Sequence, residues 1–182
     1  MLLTTDLFVT IIVTNQMEVS IMNASSRFAV AVHVLLVLHI NKFLRGFDAT
    51  TSDFIADSVN TNAVVIRRIL GMLRKAGLVM SQTGVGGGSS LAKSSEQISL
   101  EDIRVAVEDG PLFHLHYSDP DADCPIGASI QDELGGVIGE AEVALRKVLG
   151  EKTLAALADK MIQSDAFQTR MKARMAEMEL DV

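Results

Sequence analysis

The chain has 182 residues, 48% of them apolar, which excludes global disorder and favours one compact domain or a small domain with a helical extension. Its single cysteine, Cys124, excludes an internal disulfide and a CxxC zinc site, and it fits a reducing, cytoplasmic compartment. The net charge of −7 conceals a split: residues 23–93 hold eight Lys/Arg against three acids, and residues 94–182 hold eight against eighteen. Such asymmetry suggests that one half meets a polyanion while the other keeps away from it; a solvated surface of uneven charge is the alternative.

Along the chain, Leu7-Phe8-Val9-Thr10-Ile11-Ile12-Val13 is apolar but far shorter than the ~20 residues of a membrane span. It has neither a basic leader nor a small-residue cleavage pattern, which speaks against a signal peptide. Residues 1–21 read as an extension that either precedes the true start or forms a β-prone arm. Ser25-Ser26 then caps a first helix, with Phe28, Ala31, Val32, Leu35, Leu36 and Leu38 at helical spacing, running to about Phe43. Thr50-Thr51-Ser52 caps a short helix through Ser58. A tight turn at Val59-Asn60-Thr61 leads to a longer helix from about Asn62 to Ala76, ended by Gly77.

These two helices carry a helix-turn-helix pattern. Ala56 is the small residue that lets the second helix approach, Asn60 tolerates the left-handed turn, and Ile66 and Ile69 point back into the pair. At 100° per residue the opposite face carries Val64, Arg68 and Lys75, with Arg67 and Thr61 on its flanks and Asn62 at the N-terminal end. Arginine suits guanine and asparagine suits adenine, so the residue types match base reading; solvated helix charges are the bland alternative. Thr51, Ser52, Thr61, Asn62, Val64, Arg67, Arg68 and Lys75 are the candidate DNA contacts of the helical pair.

A strand at Leu78–Ser81, a glycine-rich turn from Thr83 to Gly88 and a returning strand at Ser89–Ala92 form a β-hairpin directly after the second helix. This is the position of a wing. Gly84, Gly86 and Gly87 are its candidate backbone contacts, and Lys93 a candidate phosphate partner. A nucleotide-binding loop fails on spacing, because Ser89 stands where a third glycine is needed and no Gly-Lys-Ser/Thr follows. Ser99 with Asp102 starts a helix through about Glu108, and a polar loop follows from Asp109 to Asp123. Pro125 sits where a helix's first position prefers proline. From there Ile126, Ile130, Leu134, Ile138, Ala141, Leu145 and Val148 repeat at steps of three or four, predicting one long amphipathic helix stopped at Gly150. A further helix from about Thr153 to Met161 and a polar tail complete the chain.

The run Ala76-Gly77-Leu78-Val79, then Ser81, Gly84, Gly86-Gly87-Gly88, Leu91, Ile98-Ser99-Leu100 and Asp102-Ile103, resembles the Rrf-two family of bacterial transcriptional regulators over roughly residues 22–162. Asn62 with Arg67-Arg68, and Cys124-Pro125-Ile126-Gly127 with Ile130-Gln131, look most like its YwnA-like branch. The resemblance implies a homodimer whose long helices cross, with two winged heads on a palindromic operator, and most such proteins repress. It also implies, for several members, an iron–sulfur cluster on three cysteines. Cys124 stands alone here, so one protomer cannot build that site. Thr83 stands where many members carry a wing arginine, which leaves minor-groove insertion there in doubt.

His114, His116, Asp119, Asp121, Asp123 and Cys124 fall within eleven residues, as metal ligands or, the favoured reading, as an exposed acidic loop. Cys124, placed at the N-cap of the long helix, is a candidate redox sensor; a small-molecule effector or none at all fits equally. The expected fold is mainly α with a small β-hairpin wing: residues 22–93 a winged helix-turn-helix head, 94–124 a connecting helix and sensor loop, 125–182 a dimerisation helix and C-terminal helices. The expected function is a cytoplasmic, sequence-specific regulator of double-stranded DNA, a homodimeric repressor without cofactor, metal, membrane or catalysis. The dimer contacts are Ile126, Ile130, Leu134, Ile138, Ala141 and Leu145. A helical protein–protein interaction module without specific DNA binding is the rival; no HExxH, GxSxG or paired nucleophile and base supports an enzyme.

Overall fold

A helix that presents apolar residues at positions 31, 34, 35 and 38 must bury that stripe, and the fold is assembled around it. The computed structural model describes residues 24–180 apart from 47, 85, 109 and 112, so the proposed N-terminal extension lies outside the described residues. Helix α1 (Ala24–Arg45) is central, with Ala31, Val34, Leu35 and Leu38 at most 3% exposed. Its 26–43 stretch is long and apolar enough to cross a bilayer by length and composition, yet this stretch forms the centre of the core.

Around α1 pack α2 (Ser52–Val59), α3 (Ala63–Lys75) and α4 (Leu100–Val107), with a two-stranded antiparallel sheet of β1 (Val79–Gln82) and β2 (Gly88–Leu91) against one side. The register pairs Val79 with Leu91 and Gln82 with Gly88. Helix α3 ends in a left-handed Gly77 (φ +70°), where the Leu78 N–H donates to the Leu73 carbonyl at 2.9 Å. Leu73 and Leu78 are both buried, as this kind of helix stop requires. A reciprocal capping box of Ser99 and Asp102 starts α4, as the sequence spacing predicts.

The chain then leaves the head and returns. The long helix α5 (Gly127–Gly150) has 24 residues, so it spans about 36 Å. None of its residues is buried, and it packs on α4. Past its end the backbone is clamped to the head: the Leu100 N–H donates to the Lys152 carbonyl and the Leu154 N–H to the Ile98 carbonyl, both at 2.8 Å. That clamp delivers α6 (Leu154–Ile162), whose Leu154 and Ala158 are fully buried in the core of the head.

Three expectations need correction. The strands lie at Val79–Gln82 and Gly88–Leu91, one residue away from the expected limits at each of the four ends. Pro125 is not the first helical residue of α5: Pro125 and Ile126 form a turn, and the Cys124 carbonyl accepts the first helical hydrogen bond, from Ala128 at 2.9 Å. The polar tail is also helical, as α7 (Asp165–Leu180). Its apolar and polar residues follow no 3.6-residue stripe, so periodicity gave no signal there.

Candidate nucleic-acid interface

Thr51 starts α2 by accepting the Phe54 N–H on its hydroxyl at 3.3 Å. Ile55 and Ala56 are buried, and the small Ala56 side chain is where α3 comes close. Asn60 adopts φ 57° and ψ 54°, the one non-glycine residue with positive φ among those described. The Thr61 N–H closes the turn onto the Ala56 carbonyl at 3.0 Å. Asparagine is the side chain that tolerates this conformation best, so the residue singled out for the turn does what its chemistry allows.

Asn62 then caps α3, its Oδ1 accepting the Val64 N–H at 2.8 Å. Five residues of α3 are buried, namely Val65, Ile66, Ile69, Leu70 and Leu73, so the inward face is wider than the expected Ile66–Ile69 pair. The outer face carries Val64, 41% exposed, with Arg67, Arg68 and Lys75 exposed and Gly71 between them. Arg67 is tied down: its Nε donates to Ser52 Oγ at 3.1 Å and its Nη2 to Asp53 Oδ1 at 3.2 Å. Arg68 makes no ion pair or hydrogen bond among the described residues. Lys75 lies at the far end of α3 in a shallow recess with Val105 and Ala106 of α4.

The wing is bound to the same unit. Thr50 and Ser89 exchange both backbone hydrogen bonds, at 2.9 and 2.8 Å, which makes Thr50 a third, one-residue strand and fixes β2 to the start of α2. Gly88 permits this approach, because a Cβ there would meet the Thr50 carbonyl oxygen at 2.6 Å. In the turn, Gly84 (φ +101°) and Gly86 (φ +77°) are exposed in left-handed backbone, whereas Gly87 faces inward, its N–H donating to the Gly84 carbonyl at 2.9 Å. The structure thus brings Thr51, Ser52, Thr61, Asn62, Val64, Arg67 and Arg68 together on α2 and α3. Gly84, Gly86 and Gly87 sit at the wing and Lys75 at the opposite end of α3. The Thr50–Ser89 link was not found from sequence, because a single bridging residue has no periodicity to detect.

Apart from the half-buried Pro120, the 109–124 loop is exposed wherever its side chains are described, His114 and His116 included. Among the described residues no three of His, Cys, Asp and Glu come together as metal ligands. Cys124 is exposed; the N–H groups of Gly127 and Ile126 hold its thiol pKa below the ordinary value.

A family model described as iron-dependent transcriptional regulator, Rrf2, matches residues 24–160. The chain is 38% identical over 131 residues to a protein of Bacillus subtilis (strain 168) provisionally named HTH-type transcriptional regulator YwnA, covering 71% of this chain and 92% of that one. A solved structure described provisionally as a DNA-binding protein superposes with a TM-score of 0.57 at 34% identity, covering 72% of this chain and 98% of the other. A transcriptional regulator from Lactobacillus plantarum gives a TM-score of 0.62 at 26% identity, covering 81% and 97%. The iron in the family description does not fit the donors present: Cys124 is the chain's single thiol, and one exposed cysteine cannot hold a cluster. The chain belongs to the Rrf2 family and is a DNA-binding transcriptional regulator of winged helix-turn-helix architecture.

Proposed function

We propose that this regulator works in the cytoplasm as a homodimeric repressor, with residues 22–93 as the DNA-binding head and 125–182 as the dimerisation half. The observation that carries the DNA mode is the outer face of α3, where Val64 and Arg68, which has no partner among the described residues, stand beside the capping Asn62 at the helix start. Arg68 reads a base edge, bidentate to guanine where the groove offers one. Asn62 has its oxygen engaged in the cap, so it positions the helix and offers its amide donor. Thr51, Ser52 and Thr61, with the backbone at Gly84 and Gly86, meet phosphates.

The dimer is supported by α5. Ile126 is 71% exposed, Leu134 39% and Val137 64%, while Ile130, Ile138 and Leu145 are half-buried and Ala141 exposed. A second α5 crossing this face would cover it. Selection of bound sequences from random duplex DNA tests both parts at once. The expected product is a palindrome with half-sites about 34–36 Å apart, bound with a steep linear dependence of log affinity on log salt. An asymmetric site, or no enrichment at all, contradicts the model.

A further inference from the structure

A cavity of about 300 Å³ lies between the helix-turn-helix and the C-terminal helices, outside the DNA-binding face. Its volume is at the lower end of the ~300–1,000 Å³ usual for small-molecule sites. The body of the cavity is apolar. Phe54 of α2 faces it from the head, Met161 from the end of α6, and Phe167 and Met171, one turn apart on α7, from the C-terminal side. Aromatic rings offer a negative face and thioethers a polarisable surface, so these walls suit a flat or rounded apolar body and tolerate positive charge.

The polar groups are gathered on the α1–α2 side. His33 Nε2 and Ser58 Oγ are 3.2 Å apart and satisfy one another. Asp57 also lines the cavity and is exposed, and its carboxylate has no hydrogen bond or ion pair among the described residues. Among the described residues no Lys or Arg lines the cavity. Among the described residues that line it, Asp57 therefore carries the one formal charge, beside a histidine whose pKa burial holds below its ordinary value.

We propose that this cavity is a binding site for a small lipophilic cation, whose apolar body lies among Phe54, Met161, Phe167 and Met171 and whose charge faces Asp57. A neutral molecule forgoes the Asp57 attraction, and an anion is repelled by it, with no cation among the described lining residues to offset the repulsion. The site adds a ligand class to the DNA-binding role and does not depend on it, since binding can be read without DNA.

The test uses the whole chain and benzyltrimethylammonium as probe, with phenylpropanoate as an anion of similar size. Titration calorimetry should show saturable binding of the cation and a rise in thermal midpoint with its concentration, and no binding of the anion. Asp57→Asn, an exposed change that leaves the fold intact, should weaken the cation by about two- to fivefold, the size expected of a rim charge. Phe167→Ala should weaken it as well, which assigns the binding to this cavity. Absence of cation binding at millimolar concentration, equal binding of the two probes, or unchanged affinity in Asp57→Asn would each overturn the proposal.

Discussion

Arg67 reaches back across the helix-turn-helix to Asp53, Nη2 to Oδ1 at 3.2 Å, while its neighbour Arg68 has no partner among the described residues. Two adjacent arginines thus have different work. Arg68→Ala should weaken operator binding by about 1–3 kcal/mol, roughly 5- to 150-fold, with no change in thermal midpoint. Arg67→Ala should cost less, because an exposed ion pair to Asp53 already competes for that guanidinium. Mobility-shift titrations at one fixed salt concentration measure both. Unchanged affinity in Arg68→Ala would transfer the base-reading role to Arg67.

Gly71 sits in the interior of α3 on its outer face, and a Cβ placed there would meet nothing within 4 Å. Nothing inside the chain requires glycine at this point, although it weakens the helix by about 1 kcal/mol relative to alanine. Gly71→Ala should therefore raise the thermal midpoint and at the same time weaken DNA binding, because the added methyl stands where a groove wall would approach. A variant that is more stable and binds as well as the parent would remove Gly71 from the interface.

Leu134→Asp places a charge in the exposed stripe of α5, where it meets water in a lone protomer and a second helix in a dimer. The variant should sediment as a monomer, keep its helical content and lose most operator affinity, since one head contacts only one half-site. A parent protein already monomeric at micromolar concentration would contradict the dimer.

The burial of His33 lowers its pKa below the ordinary 6.5, so the unfolded chain binds that proton more readily than the folded one. Stability contributed by neutral His33 is present above pH 6.5 and is lost as the pH falls through the folded pKa. Denaturant midpoints should fall between pH 7 and pH 5, and His33→Gln should flatten that slope. An identical slope in the variant would mean that other groups carry it.

Much of the head was legible because it rests on local rules. The small Ala56, the left-handed Asn60 and the inward Ile66 and Ile69 form a spacing that other helical hairpins can also satisfy, but the hairpin that follows directly adds to it, and the glycines of the wing signal their own backbone. What was illegible depended on partners distant in sequence. Whether Arg67 was free or tethered depended on Ser52 and Asp53, fifteen and fourteen residues away. The cavity at His33 is assembled from α1, α2, α6 and α7, and no stretch of the chain contains it. Helix α7 was missed because its outward and inward residues are mixed around the axis, so only packing against α6 and the cavity reveals a preferred side.

The paired backbone bonds between Thr50 and Ser89 have a mechanical consequence. They join the root of the wing to Thr50, the residue before the cap of α2, through main chain alone, with Gly88 admitting no side chain between them. With the wing held to the start of α2 in this way, wing and α3 would meet DNA as the two jaws of one caliper, at a spacing set by the protein. A duplex whose groove width departs from that spacing must itself deform to be held, so sequence-dependent DNA stiffness enters the choice of operator at base pairs that no side chain touches.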